Sequence, residues 1–200
     1  MKQAIAVLML VVLVSGSSQA QVGLGIKGGV NLANIGGTDA PPGSKTLTGF
    51  AAGGYVEISL PLLFTIQPEI LYSQKGSTYD QSIFGTSVKI TAKFNYLEIP
   101  VLVKYSFPVP VVKPSLYAGP AVGILLSAKA KAEAAGQSQE EDIKSQTTST
   151  DFGLVVGASA HIAVIAVDVR YTLGLTTIDK TGATKGYNRV ISIMVGIPLL

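Results

Sequence analysis

The 200-residue chain is strongly apolar for its charge: 48% of the residues are hydrophobic and only 14% are charged, with a formal net charge of +3, whereas an average globular protein has roughly 25% charged residues. The absence of cysteine excludes disulfides, thiolate metal sites and a cysteine nucleophile. The basic residues are scattered singly, so none of them forms a run along a phosphate backbone, and we predict no nucleic-acid partner.

The first 20 residues have the pattern of a secretion signal. Lys2 gives a positive start, residues 4–14 are apolar, and the small residues after them end in Ser18-Gln19-Ala20, which fits a cleavage site. The apolar run is much shorter than the roughly 20 residues that a membrane helix needs. We therefore predict a cleaved signal peptide at residues 1–20 and a single exported domain at residues 21–200.

The rest of the chain alternates apolar and polar residues with period two, as β-strands do. It contains no apolar run near 20 residues, so no membrane helix is predicted. A change of face near Asn95-Tyr96 indicates a β-bulge. The pattern predicts eight strands, at residues 22–33, 49–60, 64–75, 87–105, 115–128, 149–160, 163–177 and 188–200.

The predicted connections alternate in length. Those at Pro61, at residues 106–113 and at His161-Ile162 are short. Outer-membrane barrels have long outer loops and short periplasmic turns, and a periplasmic N-terminus places the long connections outside. The sequence therefore predicts an all-β, eight-stranded antiparallel up-and-down transmembrane β-barrel of the outer membrane. The long, polar connections are residues 34–48, 76–86, 129–148 and 178–187.

The two faces of the predicted strands differ in chemistry. One face is apolar and nearly free of charge, and the other is rich in Gly, Ser and Thr and carries the charges, which suits the crowded lumen of a small barrel in lipid. We predict that these charges form an ion network that fills the lumen, in which Glu69 and Glu98 pair with Arg170 and Lys27; a proton or solute relay is the alternative. The predicted luminal set is Lys27, Glu57, Glu69, Glu98, Lys104, Asp168 and Arg170.

The sequence predicts no catalytic, cofactor-binding or metal-binding residues, and hence no enzyme. His161 is the only histidine, which excludes a histidine-pair metal site, and its place in a short turn predicts exposure to solvent. The glycine string at residues 23–29 imitates a dinucleotide fingerprint but lies within a strand, without the βαβ context that the fingerprint requires. Residues 129–144 are predicted to form a mobile, solvated loop tip.

Four segments resemble one known family. They are GIKGGVNL at residues 25–32, QPEILYSQKG at 67–76, YLEIPVLVKY at 96–105 and YAGPA at 117–121. Over the whole mature chain the sequence resembles the PorT-type outer-membrane β-barrel family of Bacteroidetes, although it ends in Leu200 where many outer-membrane barrels have an aromatic residue. The resemblance implies an eight-stranded outer-membrane barrel and, for a few relatives, assistance to a secretion system that exports proteins.

Three functions remain open at this point. The first is a monomeric structural or interaction protein that contacts outer-membrane lipid and meets secretion or envelope proteins through its outer loops. The second is a narrow small-solute channel, which needs an open lumen; the inward charges and the small strand number disfavour it. The third is a soluble lipocalin-like ligand-binding barrel, which needs a charged outer face that this sequence does not supply.

Overall fold

A computed structural model describes residues 21–40, 43–83, 86–109, 112–134, 137–162 and 164–199. The predicted signal peptide lies outside the described residues. No helix within them is long and apolar enough to cross a bilayer. The described chain forms nine strands: β1 Val22–Gly36, β2 Lys45–Ser59, β3 Phe64–Ile83, β4 Thr86–Ser106, β5 Val112–Ala134, β6 Gln137–Asp142, β7 Thr150–Ile162, β8 Ile165–Gly174 and β9 Tyr187–Pro198.

Eight of the strands form a closed antiparallel ring. Each pairs with the next in the order β1, β2, β3, β4, β5, β7, β8 and β9, and β9 pairs again with β1. Closure satisfies backbone N–H and C=O groups on both sides of each strand, which is the condition for crossing hydrocarbon. The prediction of an eight-stranded up-and-down barrel is confirmed. β6 stands outside the ring, because it pairs only with the far end of β5.

The faces of the strands are distributed as predicted. Apolar side chains such as Ile26 and Ile193 lie on the outer surface, where they are 50% and 44% exposed, while Lys27 and Glu69 are buried in the lumen at 7% and 1% exposure. A soluble ligand-binding barrel needs the reverse distribution, so that alternative is wrong. The short turns mark the end of the barrel that we call periplasmic, and the opposite end is the outer end.

Aromatic residues mark two levels on the outer surface. Near the periplasmic end the rings of Phe64, Tyr105 and Phe107 are in contact, with centroid distances of 5.2 and 5.1 Å. Towards the outer end Phe50 packs against Tyr72 at 5.3 Å. Phe64 and Tyr72 are separated by about 26 Å along β3, or roughly 20 Å after the usual strand tilt. This spacing is close to the apolar band of about 25 Å that outer-membrane barrels expose to lipid.

Three strands continue far beyond this band. β3, β4 and β5 contain 20, 21 and 23 residues, whereas a crossing needs roughly 9–11. Most of the two loops predicted at residues 76–86 and 129–148 is therefore strand. β3 and β4 pair up to Ile83 and Thr86, and β5 forms a hairpin with β6, which also replaces the mobile tip predicted at residues 129–144. Polarity misled the prediction, because most residues of these segments are polar or small and therefore show no apolar alternation.

The predicted bulge lies at the expected height but in another strand. Asn95 pairs with Ser127 and Tyr96 with Leu125, so the extra residue belongs to β5 rather than to β4. β4 itself keeps its alternation of inward and outward side chains. The apparent change of face near Asn95-Tyr96 arises because the inward side chains become apolar at this height. At this height the lumen contains a buried apolar cluster of Phe94, Tyr96, Leu125 and Ala128.

Asp179 organises the connection between β8 and β9 at the outer end. Its carboxylate accepts hydrogen bonds from the backbone N–H groups of Thr181 and Thr184, both at 3.0 Å, and from their hydroxyl groups. These hydrogen bonds, those from Thr181 first, lower the pKa of Asp179 to about 2. Thr148 and Lys180 also link this connection to the one that follows β6 by backbone hydrogen bonds.

We expect this turn to remain formed down to very low pH. Because the pKa of Asp179 lies below its ordinary value of 3.8 in the folded turn, its contribution is fully present above that value and is lost as the pH falls through about 2. The amide chemical shifts of Thr181 and Thr184 should report this transition in NMR spectra of the refolded barrel. In Asp179→Ala both amides should already have shifts of an unstructured turn at neutral pH; unchanged shifts would contradict the role of Asp179.

Candidate functional site in the barrel lumen

The lumen contains charged side chains that strand alternation turns inward. Each strand places every second side chain inside the barrel, and an eight-stranded barrel is just wide enough for these side chains to meet. The structure brings together six of the seven predicted luminal residues near the periplasmic end. We call this group, with Gln67 included, the periplasmic cluster: Lys27, Glu57, Gln67, Glu69, Lys104, Asp168 and Arg170.

Arg170 is the centre of the periplasmic cluster. Its Nη1 and Nη2 donate to the two carboxylate oxygens of Glu69 at 2.8 and 3.1 Å, which is the bidentate geometry that makes such pairs strong. Its Nε donates to Asp168 Oδ1 at 3.0 Å. Lys27 Nζ completes the group at 2.9 Å from Glu69 and 3.4 Å from Asp168. All four side chains are at most 5% exposed, so two cations and two carboxylates neutralise one another away from water.

Lys104 extends these contacts to the periplasmic rim. Its Nζ lies 2.9 Å from Glu57 Oε1 and donates to Gln67 Oε1 at 2.8 Å. Gln67 Nε2 in turn donates to Glu69 Oε1 at 2.5 Å. Hydrogen bonds therefore run without interruption from Glu57 to Arg170 across the lumen.

Glu98 does not join this group, so the predicted pairing of Glu98 with Lys27 or Arg170 is wrong. Glu98 Oε1 lies 3.2 Å from Lys75 Nζ, which also approaches Asp151 Oδ2 at 3.5 Å. Asn188 Nδ2 donates to the same Asp151 oxygen at 2.9 Å. We call Lys75, Tyr96, Glu98, Asp151 and Asn188 the outer cluster.

The stagger between strands explains this division. Counting residues from the strand ends places Glu98 level with Glu69, but β3 and β4 pair Glu98 with Leu71, two positions further out. Lys75 and Asp151 were missed as members of the network although both lie on inward faces of their strands. The alternation of their strands could have identified both residues as luminal. That they meet Glu98 is visible only from the register between the strands.

Three luminal cations lie over tyrosine rings. Lys27 is 5.4 Å from the centroid of Tyr55, Lys75 is 5.2 Å from that of Tyr96, and the guanidinium of Arg170 is 5.5 Å from that of Tyr117. Such contacts stabilise a cation most where water is excluded. Tyr117 also donates a hydrogen bond of 2.8 Å from its hydroxyl to Asp168.

Glycines on neighbouring strands make room for these rings. Tyr55 pairs directly with Gly25, and Tyr117 pairs directly with Gly157. A Cβ on Gly25 would overlap the Tyr55 ring, and a Cβ on Gly157 would lie 2.5 Å from the Tyr117 hydroxyl oxygen and 2.7 Å from the carbonyl oxygen of Val169. The absence of a side chain on these glycines thus positions the tyrosines over the cations.

We expect Gly157→Ala to destabilise the barrel by about 1–3 kcal/mol, the usual range for overpacking a tight interior. The added methyl group would displace Tyr117 and with it the contacts to Asp168 and Arg170. Urea unfolding of the refolded protein, followed by circular dichroism, measures the change. Gly54→Ala is the matched control, because its Cβ would meet only the Gly25 carbonyl oxygen at 3.5 Å; equal losses in the two variants would contradict the argument.

A small cavity opens between the periplasmic cluster and the rim. Its volume is about 10 Å³, and its lining includes Tyr55, Lys104, His161 and Asp168; this is roughly the room of one water molecule. His161 is half-buried at the end of β7 rather than exposed in a turn as predicted. Among the described residues no group of three or more His, Cys, Asp or Glu side chains is arranged to hold a metal ion.

The chain matches one family model and is similar to several solved structures. The family described as outer membrane protein beta-barrel domain matches residues 17–180. Solved structures with a similar fold include the attachment invasion locus protein Ail of Yersinia pestis in complex with the heparin analogue sucrose octasulfate, at 14% identity and a TM-score of 0.47, covering 90% of this chain and 99% of that chain. Neisserial surface protein A is similar at 14% identity and a TM-score of 0.48, with the same coverage. Comparison with curated proteins gives no significant match.

Proposed function

We propose that this chain, which belongs to the outer membrane protein beta-barrel domain family and resides in the outer membrane, is a monomeric, non-enzymatic barrel with a closed lumen. In this proposal it acts as a structural or interaction protein. The observation that carries this proposal is the filling of the lumen. The periplasmic cluster, the outer cluster and the apolar cluster around Phe94 fill the same narrow barrel, and the last two share Tyr96.

The paired state of the luminal charges supports a structural role for them. Each charged side chain of the periplasmic cluster lies 2.8–3.4 Å from a side chain of opposite charge. All of them are nearly completely buried except Glu57, which lies at the rim. Conduction needs side chains that leave space for water, and catalysis needs a polar group that is free to react with a substrate. A charge that already has two protein partners serves neither purpose well, whereas it does fix the strands relative to one another.

The outer hairpins support a role in interaction. The β3–β4 and β5–β6 hairpins rise above the lipid-facing band as a sheet of four strands, and their side chains are mostly polar. A barrel of this size can be anchored with strands of about 10 residues. The additional length is therefore available for contacts with other envelope proteins.

A more specific form of the proposal is that these contacts serve protein secretion, as the resemblance to PorT-type barrels implies. Deleting the gene should then reduce the amount of exported protein in the culture medium, and expression of the complete chain should restore it. Normal secretion after deletion would refute this specific form and leave the general interaction role in place.

Planar-bilayer recording tests the closed lumen against the alternative of a small-solute channel. Refolded protein should insert without producing discrete conductance steps in concentrated KCl. Heat-dependent migration of the same sample on SDS gels verifies that the barrel is folded. Reproducible steps whose number rises with the amount of inserted protein would refute the closed lumen and favour the channel.

A further inference from the structure

The outer sheet ends in a strand whose second edge is open. β6 pairs with residues 129–134 of β5, and within the described part of the chain it has no strand on its other side. All six of its residues are exposed. An exposed edge presents unpaired N–H and C=O groups to which another strand can add.

The hydrogen bonds next to the hairpin identify the free groups. In an antiparallel pair, every second residue exchanges hydrogen bonds with the partner strand. The Ile143 N–H donates to the Ala128 carbonyl at 3.0 Å, so the odd-numbered residues of this segment bond to β5. The N–H and C=O groups of Ser138, Glu140 and Asp142 consequently point away from β5.

The charges along this edge indicate what fits it. β6 has the sequence QSQEED and contains three carboxylates and no basic residue. Glu140 and Asp142 share one face of the strand, because side chains alternate. A neighbouring strand with basic side chains two positions apart would meet both of them, and cross-strand pairs of opposite charge are favourable. The existing contact of Glu140 with Lys129 at 2.6 Å joins half-exposed side chains and is therefore weak enough to be exchanged.

We propose that the free edge of β6 binds an extended, basic segment of another polypeptide, which adds to the β3–β4–β5–β6 sheet as a fifth strand. This inference rests on the proposed interaction function and names the surface and the chemistry of the partner. A second copy of the chain fits less well, since two β6 strands side by side would bring six carboxylates together. The opposite edge of the sheet is partly occupied, because β2 pairs with β3 as far as Lys45 and Thr78.

The probe is a fluorescein-labelled peptide that alternates lysine with threonine, added to the refolded complete chain in detergent micelles. We expect it to bind at least about tenfold more tightly than a peptide that alternates glutamate with threonine. On binding, the amides of Ser138, Glu140 and Asp142 should become protected from hydrogen exchange. This second readout distinguishes strand addition from a merely electrostatic contact.

Two substitutions at one position separate the backbone from the charge. Glu140→Pro removes an N–H that points away from β5, which an edge strand tolerates, and should weaken binding about tenfold. Glu140→Gln keeps the N–H and should weaken binding only about twofold. Band-shift gels verify that both variants are folded.

Equal affinity of wild type and Glu140→Pro, or binding without protection of the three amides, would overturn the edge assignment. Protection of the same amides that depends on protein concentration without peptide would show a second copy in this place and would overturn it as well. Neither result would contradict the proposed interaction role. That role is refuted by a different result, namely ion conduction in the planar-bilayer recording.

Discussion

Replacing Arg170 by methionine is expected to lower the free energy of unfolding by about 3–5 kcal/mol, the usual loss when one partner of a buried ion pair is removed. Glu69 would lose both bidentate hydrogen bonds, and Asp168 would lose the two that it accepts from Nε and Nη2. Lys27 would be the one cation of the periplasmic cluster that still contacts the two carboxylates. Bulk water would not replace the lost partners, since Arg170 and Glu69 are only 4% and 1% exposed.

Urea unfolding of refolded protein, monitored by the fraction that keeps its folded position on cold SDS gels, measures this loss. Lys45→Met is the matched control, because Lys45 pairs with Asp80 at an exposed position, where an ion pair contributes roughly 0–1 kcal/mol. A loss for Arg170→Met no larger than that of the control would show that the periplasmic cluster does not hold the barrel together.

Replacing Lys75 by methionine should have an effect of similar size, about 3–5 kcal/mol, by a different route. Lys75 is the only cation of the outer cluster, and its ammonium group forms salt bridges with both Glu98 and Asp151. Without it, two buried carboxylates would face each other with no cation of this cluster between them. Repulsion would then add to the cost of burying each unpaired charge.

Neutralising the carboxylates provides the control for this second variant. The triple variant Lys75→Met, Glu98→Gln, Asp151→Asn removes all three charges while keeping the shapes, and replacement of a whole buried ion group is often nearly neutral. We expect it to recover most of the stability lost by Lys75→Met in the same unfolding measurement. If the triple variant is as unstable as the single one, packing rather than charge explains the loss.

The period-two alternation of the sequence was sufficient to predict the barrel and to assign its lipid-facing and luminal faces. Alternation such as that from Val22 to Leu32 needs no tertiary information, because the lipid selects apolar side chains at every second position and the lumen selects small or polar ones. The same periodicity was insufficient at residues 76–86 and 129–148. Most residues of these segments are polar or small on both faces, so their sequence shows no difference from that of a polar loop.

Sequence alone thus determined the number of barrel strands, the up-and-down topology, the lipid-facing surface and the identity of most buried charges. These follow from the period of each strand and from the alternating lengths of the connections. Only the tertiary structure decided which charges meet. Pairing depends on the stagger between strands, and a shift of two residues moved Glu98 from Arg170 to Lys75. It also decided the open edge of β6, since an edge is defined by the strands beside it and not by the residues that form it.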